Sequence, residues 1–106
     1  MERILIIDDD ITFALMLKTW LSKKGFQTET AASVAAARTA LAEGGFSLVL
    51  SDMRLPDEDG IALLQWMSGQ HMEIPVIVMT SYAEIQNANS VSHALEYYVA
   101  DYALST

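Results

Sequence analysis

Three aspartates follow two strongly apolar segments, at positions where their carboxylates could act together. Asp8 and Asp9 follow residues 3–7, and Asp52 follows residues 46–51. Parallel strands place their carboxyl ends at one edge of a sheet, and open α/β folds bind ligands at that edge. We therefore expect the three carboxylates to converge. Crowded carboxylates repel one another unless a cation lies among them, and oxygen ligands suit a hard ion. The pattern predicts a Mg2+ site.

The elements that must position these acids alternate between strand and helix. Nearly unbroken β-branched and apolar runs are typical of strands that are covered on both faces. Such runs predict central strands at residues 3–7, 46–51 and 76–79. Residues 27–31 are only weakly apolar and predict a strand at a sheet edge. The resulting order of elements indicates an α/β domain with a parallel sheet.

Three helices are predicted between these strands from capping residues and glycines. Thr12 is suited to cap the first helix, which ends at Lys23-Lys24-Gly25. Ser33 is suited to cap a second, alanine-rich helix that runs to Glu43. The third helix follows Gly60 and covers residues 61–67. Pro56 and Gly60 are expected to be structural, since they set the loop and the start of this helix.

Composition narrows the classes of protein that the chain can belong to. Its 106 residues suit one domain, and 52% hydrophobic residues argue against disorder. No segment approaches the roughly 20 apolar residues of a membrane span, and the first residues already form a predicted strand rather than a signal peptide. Without cysteine there are no disulfides or thiolate metal sites, and we expect a cytoplasmic protein. A net charge of -8 disfavours direct nucleic-acid binding by this domain.

Three strand-end motifs occur in a fixed order along the chain: Asp8-Asp9, the run Asp-Met-Arg-Leu-Pro-Asp-Glu-Asp-Gly over residues 52–60, and Pro-Val-Ile-Val-Met-Thr-Ser over residues 75–81. Together they resemble the receiver domain of two-component response regulators, from residue 3 to about residue 88. The Asp-Met-Arg-Leu-Pro segment most resembles the corresponding segment of receivers in NtrC-like transcriptional regulators. The resemblance implies a flavodoxin-like, doubly wound parallel sheet.

The resemblance also implies a function and a set of site residues. Asp52 would accept a phosphoryl group from a histidine of a sensor kinase. Asp8, Asp9 and Asp52, with the backbone carbonyl of Arg54, would hold Mg2+, and the Thr80 hydroxyl would bind a phosphoryl oxygen. Such a domain is a phosphoacceptor that controls an output domain, not an enzyme with a separate substrate.

The last part of the sequence departs from the family pattern. Receivers usually end their fifth strand with lysine and proline, whereas residues 83–106 contain no Gly, Pro, Lys or Arg. One alignment makes Tyr102 the aromatic switch and places Ser105 where the family has lysine. The alternative, which the apolar spacing favours, is one amphipathic helix over residues 83–103 whose exposed stripe would promote self-association. We treat residues 1–106 as one receiver-like domain, with 1–88 close to the pattern and 89–106 divergent.

Two other functions fit part of the sequence. Asp8-Asp9-Asp10-Ile11-Thr12 also matches the opening motif of haloacid-dehalogenase-like phosphatases, in which Asp8 would be the nucleophile and Asp10 the general acid. Those enzymes need a downstream lysine, whereas no lysine follows Lys24, and Asp52 would have no role. The third possibility is a receiver-shaped dimerisation module that is not phosphorylated.

Overall fold

The computed structural model describes residues 2–52 and 55–79. Strands and helices alternate along them, in the order β1 (Arg3–Ile7), α1 (Ile11–Lys23), β2 (Gln27–Ala31), α2 (Val34–Glu43), β3 (Leu48–Asp52), α3 (Gly60–Gly69) and β4 (Val76–Met79). Every strand pairs in parallel with its neighbours, and the strand order is β2-β1-β3-β4. The predicted α/β fold with a doubly wound parallel sheet is confirmed.

The apolar residues of the strands divide between the two faces of the sheet because successive side chains point in opposite directions. Leu5, Ile7 and Val49 face α2 and α3, where they join a buried cluster that includes Val34 and Leu63. On the opposite face the alternate residues of β1 and β3 pack against α1 through a second buried cluster; its members are Ile4, Ile6, Ala14, Leu21, Phe26, Leu48, Leu50 and Ile77. Helices therefore cover both faces, as the continuous apolar runs predicted.

The predicted edge strand is confirmed at β2, which pairs with β1 and forms one end of the described sheet. Its sequence is mostly polar, and of its residues only Ala31 is buried. The strand predicted at residues 46–51 begins two residues later in the structure: Phe46 is buried but precedes β3, and the sheet register begins with Leu48 opposite Ile4. β3 also extends to Asp52, so the acid is itself the last residue of the strand.

Helix capping follows the sequence at α2 and departs from it at α1. The Ser33 side chain accepts the Ala36 N–H at 3.1 Å, as predicted. The prediction that Thr12 caps α1 is wrong, since Asp10 occupies the cap and accepts the Phe13 N–H at 3.1 Å. An aspartate with extended backbone just before the first turn is a strong cap, and Thr12 falls inside that turn.

Within residues 2–52 and 55–79, no helix has the length and apolar character that crossing a membrane would require.

Candidate functional site

The acids of the predicted site lie at the carboxyl edge of the two central strands. β1 and β3 are neighbours whose register places Ile7 beside Ser51, so Asp8 and Asp52 follow at matching positions. Between these strands the chain reverses its direction of winding, since β2 lies beyond β1 and β4 lies beyond β3. This switch point is where doubly wound folds form a crevice for ligands. The topology therefore puts the acids where a ligand can reach them.

The structure brings Asp8, Asp9 and Asp52 together. One carboxylate oxygen from each residue lies within 4.8 Å of the other two. Burial decreases across the cluster: Asp8 is buried at 7% exposure, Asp52 is half-buried and Asp9 is exposed. The cluster is therefore a shallow acidic site with one inner carboxylate and one open side.

The charged form of the buried Asp8 carboxylate is electrostatically unfavourable. The pKa of Asp8 rises from an ordinary value of 3.8 to about 6, mainly because burial disfavours its charged form and then because Asp52, Asp9 and Asp10 are negative. A hydrogen bond from the Asp10 N–H to Asp8 Oδ1, at 2.9 Å, opposes this rise. A cation among these carboxylates would favour their charged forms and would lower the same pKa.

The donor set fits a magnesium ion. Three carboxylate oxygens from three residues supply hard, negative ligands, and Mg2+ binds through few carboxylates while keeping several waters. The exposed side at Asp9 leaves space for such waters. Asp8, Asp9 and Asp52 are thus the described residues that could hold the metal.

Two acids outside the cluster make hydrogen bonds that the sequence analysis did not predict. Asp10 uses its N–H to hold Asp8 and its carboxylate to cap α1, so it links the site to a helix start. Asp57 accepts the N–H groups of Val34 and Ala35 at 2.9 and 3.0 Å. The Asp10 cap has a local signal, an acid just before an apolar helix. Asp57 has none, because the helix that it contacts lies 22 residues or more away in the chain.

Three of the predicted site features fall outside the described residues. They are the backbone carbonyl of Arg54, the hydroxyl of Thr80 and the aromatic ring of Tyr102. The choice between one helix and a helix plus strand over residues 83–103 also falls there. These remain predictions from the sequence.

Comparison with known protein families gives a match across most of the chain. A family model for the response regulator receiver domain matches residues 4–102. The response regulator protein PilR of Pseudomonas aeruginosa is 36% identical over 87 residues, which cover 82% of this chain and 20% of PilR. The regulatory protein AtoC of Escherichia coli strain K12 is 39% identical over 87 residues, which cover 82% of this chain and 19% of AtoC. The chain thus spans about a fifth of the length of these relatives.

Solved structures with the same fold include several receiver domains. A response regulator receiver domain protein from Clostridium thermocellum has a TM-score of 0.73 and 25% identity, over 89% of this chain and 76% of that one. The regulator TrrA from Thermotoga maritima, solved in complex with Mg2+-BeF, has a TM-score of 0.73 and 25% identity over 83% of this chain and 76% of its own. The MaeR response regulator bound to beryllium trifluoride has a TM-score of 0.71 and 33% identity, over 88% of this chain and 78% of its own.

Proposed function

Because this chain belongs to the response regulator receiver domain family, we propose that it is a phosphoacceptor domain that a sensor histidine kinase phosphorylates on Asp52 with Mg2+. The observation that carries the proposal is the convergence of Asp8, Asp9 and Asp52, with a carboxylate oxygen of each within 4.8 Å of the others. Asp52 is the half-buried member, at the end of a central strand, so it is both held in place and open to a donor.

Different residues of the chain are assigned different roles in phosphoryl transfer. A carboxylate oxygen of Asp52 attacks the phosphorus of a phosphohistidine, the P–N bond breaks and an acyl phosphate forms on Asp52. Asp8, Asp9, Asp52 and the Arg54 carbonyl would hold Mg2+, which when bound supplies neutralisation of the charge on acceptor and phosphoryl oxygens. Asp8 and Asp9 would hold that positive charge beside the acceptor.

Two further residues are assigned roles after transfer. Thr80 follows Met79, and Met79 lies beside Asp52 in the sheet register. A hydroxyl at this strand end is suited to donate a hydrogen bond to a phosphoryl oxygen. Tyr102 is the candidate aromatic switch. Residues 25–106 contain no lysine, and one alignment places Ser105 where receivers usually have a C-terminal lysine, so we expect transfer and switching to be slower than in receivers that have it.

The proposed output domain lies outside these 106 residues. PilR and AtoC are named as regulators and are about five times as long as the matched region. We propose that phosphorylation here controls such an additional domain, with transcription regulation as its role.

The test is an intact protein mass after incubation with acetyl phosphate and Mg2+. The unmodified chain should gain one phosphoryl group, and Asp52→Asn should abolish the gain because an amide cannot form the acyl phosphate. Asp10→Asn is the matched control: it changes a neighbouring acid, keeps an oxygen for the Phe13 N–H and should leave labelling intact. Labelling that survives Asp52→Asn but vanishes with Asp8→Asn would support the phosphatase alternative instead. An unmodified chain that takes no label would contradict the proposal.

A second candidate, a receiver-shaped dimerisation module, is favoured by one observation. α1 exposes large apolar side chains along its length, with exposed fractions of 69% at Ile11, 54% at Leu15 and 62% at Met16. An apolar surface of this kind favours association with another molecule. Beryllofluoride with Mg2+ separates the two functions, since a phosphoacceptor should bind it at Asp52 and a pure dimerisation module should not. Light scattering on the same samples reports whether the chain is a dimer.

A further inference from the structure

The loop between β3 and α3 is fastened to the rest of the fold at successive residues. Leu55 is half-buried and packs against the core cluster beneath α2 and α3. Asp57 accepts two N–H groups of α2, and Glu58 forms an ion pair with Arg38 of α2 at 2.9 Å. Asp59 then caps α3 by accepting the Ala62 N–H at 2.9 Å. The loop is thus joined to both helices that cover this face of the sheet.

The start of α2 shares its capping between a local and a distant residue. The first N–H groups of a helix have no partner within the helix. Ser33, the local cap, accepts the Ala36 N–H, whereas the Val34 and Ala35 N–H groups donate to the Asp57 carboxylate. These hydrogen bonds, with Val34 the largest contributor and Ala35 next, hold the pKa of Asp57 below its ordinary value. Asp57 therefore remains charged at the positive end of α2.

The contact between Asp57 and the start of α2 bears on the acidic cluster because Asp57 lies close to Asp52 in the chain. Asp52 is fixed in the sheet beside Met79, and five residues later Asp57 is fixed on α2. A short chain segment with both ends held can place the residues between them in a smaller range of positions than a free one. The residues between them include Arg54, whose carbonyl is the proposed backbone ligand of the metal.

We propose that Asp57 is a positioning residue for the metal and phosphoacceptor site, which it serves by anchoring the loop after Asp52 to the start of α2. The inference rests on the proposed function, because it assigns Asp57 a part in assembling the ligands of Mg2+. It goes beyond that function by placing α2, which contributes no ligand, in control of the ligand geometry.

If the role of Asp57 were only structural, Asp57 would stabilise α2 without affecting the metal site. Two other capping residues of the chain serve as matched controls for that effect. Ser33→Ala removes a cap from the same helix without releasing the loop. Asp59→Ala removes a cap made by the same loop, but at α3 instead of α2. If Asp57 only stabilises a helix, Asp57→Ala should resemble these variants in Mg2+ affinity as well as in melting temperature.

The experiment measures the Mg2+ dissociation constant of the whole chain by titration calorimetry with MgCl2, beside the melting temperature without metal. Asp57→Ala should weaken Mg2+ binding about three- to tenfold, at or below the low end of the effect of residues that orient metal ligands. Ser33→Ala and Asp59→Ala should lower the melting temperature while leaving the dissociation constant within about twofold of the unmodified value. Asp57→Asn keeps one oxygen for an α2 N–H, so its Mg2+ dissociation constant should lie between those of the unmodified chain and Asp57→Ala. The asparagine variant also tests the inference if the alanine variant does not fold.

Two results overturn the inference, and they differ in what else they affect. Equal Mg2+ affinity in the unmodified chain, Asp57→Ala and Asp57→Asn, with the unmodified chain labelled on Asp52, rejects the positioning role and leaves the proposed function in place. An unmodified chain that neither binds Mg2+ nor takes the label rejects both.

Discussion

The two ends of the same sheet handle charge in opposite ways. At the amino edge, the Arg3 guanidinium forms an ion pair with Glu29 of β2 and donates to the Gly44 carbonyl at 3.1 Å. It also lies over the Phe46 ring, 4.5 Å from the ring centre. One cation there joins β1 to β2 and to the segment that leads into β3. Its charge is matched by partners that the fold itself supplies.

At the carboxyl edge the fold collects charges of one sign. Asp8, Asp9 and Asp52 lie close together, and burial and repulsion raise the pKa of Asp8 to about 6. Such an arrangement lowers the stability of the metal-free protein. The comparison teaches that the amino edge is built for stability and the carboxyl edge for a ligand, because a bound cation would offset the repulsion between the three carboxylates.

The largest expected effect tests how much the charged Asp8 carboxylate destabilises the fold. Asp8→Asn should stabilise the metal-free protein by on the order of 3 kcal/mol above pH 6, since each unit of pKa difference is worth about 1.4 kcal/mol. The raised pKa means that the folded state binds the proton more tightly than the unfolded state does. The unmodified fold therefore loses stability as the pH rises from 3.8 to about 6, whereas the amide does not titrate.

Urea unfolding of both proteins at several pH values between 4 and 7.5, with a chelator present, measures this difference. The advantage of Asp8→Asn should grow as the pH rises to about 6 and should then stay constant. The asparagine can still accept the Asp10 N–H, so the hydrogen bond is preserved in the variant. A difference in unfolding free energy that is the same at all pH values would mean that the charged Asp8 carboxylate is not the source of the destabilisation.

The next effect concerns a cation bound among the carboxylates at the carboxyl edge. Mg2+ at ten times its dissociation constant should stabilise the protein by about 1.4 kcal/mol, since it binds the folded state alone. Asp9→Asn should remove most of this gain because it deletes the exposed ligand of the cluster. Melting curves at increasing MgCl2 measure the effect, with CaCl2 as a comparison ion. A melting temperature that does not respond to millimolar Mg2+ would contradict a shared metal site.

The smallest effect is expected at the amino edge. Arg3→Met keeps the aliphatic part of the side chain and removes the guanidinium contacts with Glu29, Gly44 and Phe46. The ion pair is partly exposed to solvent, so we expect a loss of only about 1 kcal/mol. The Mg2+ dissociation constant should not change, because Arg3 lies at the other end of β1 from the acids. A variant that loses Mg2+ affinity would show that the two edges are coupled through the sheet.

Much of this protein could be predicted from local patterns in its sequence. Apolar runs located the strands, and the weak run at residues 27–31 was correctly assigned to a sheet edge. Ser33 was identified as a cap because capping depends on the residue type beside the helix start. The meeting of Asp8, Asp9 and Asp52 followed from one topological rule for parallel strands, applied to the residues at the strand ends.

The tertiary structure decided what depends on contacts between distant segments. Asp8 and Asp9 are neighbours of the same residue type, yet Asp8 is buried with a raised pKa and Asp9 is exposed, a difference that depends on which atoms of the folded chain surround each carboxylate. Asp57 looked like one acid among several in an acidic loop. Its role at the start of α2 arises only when the two segments pack together, since no local pattern encodes a hydrogen bond across 23 residues.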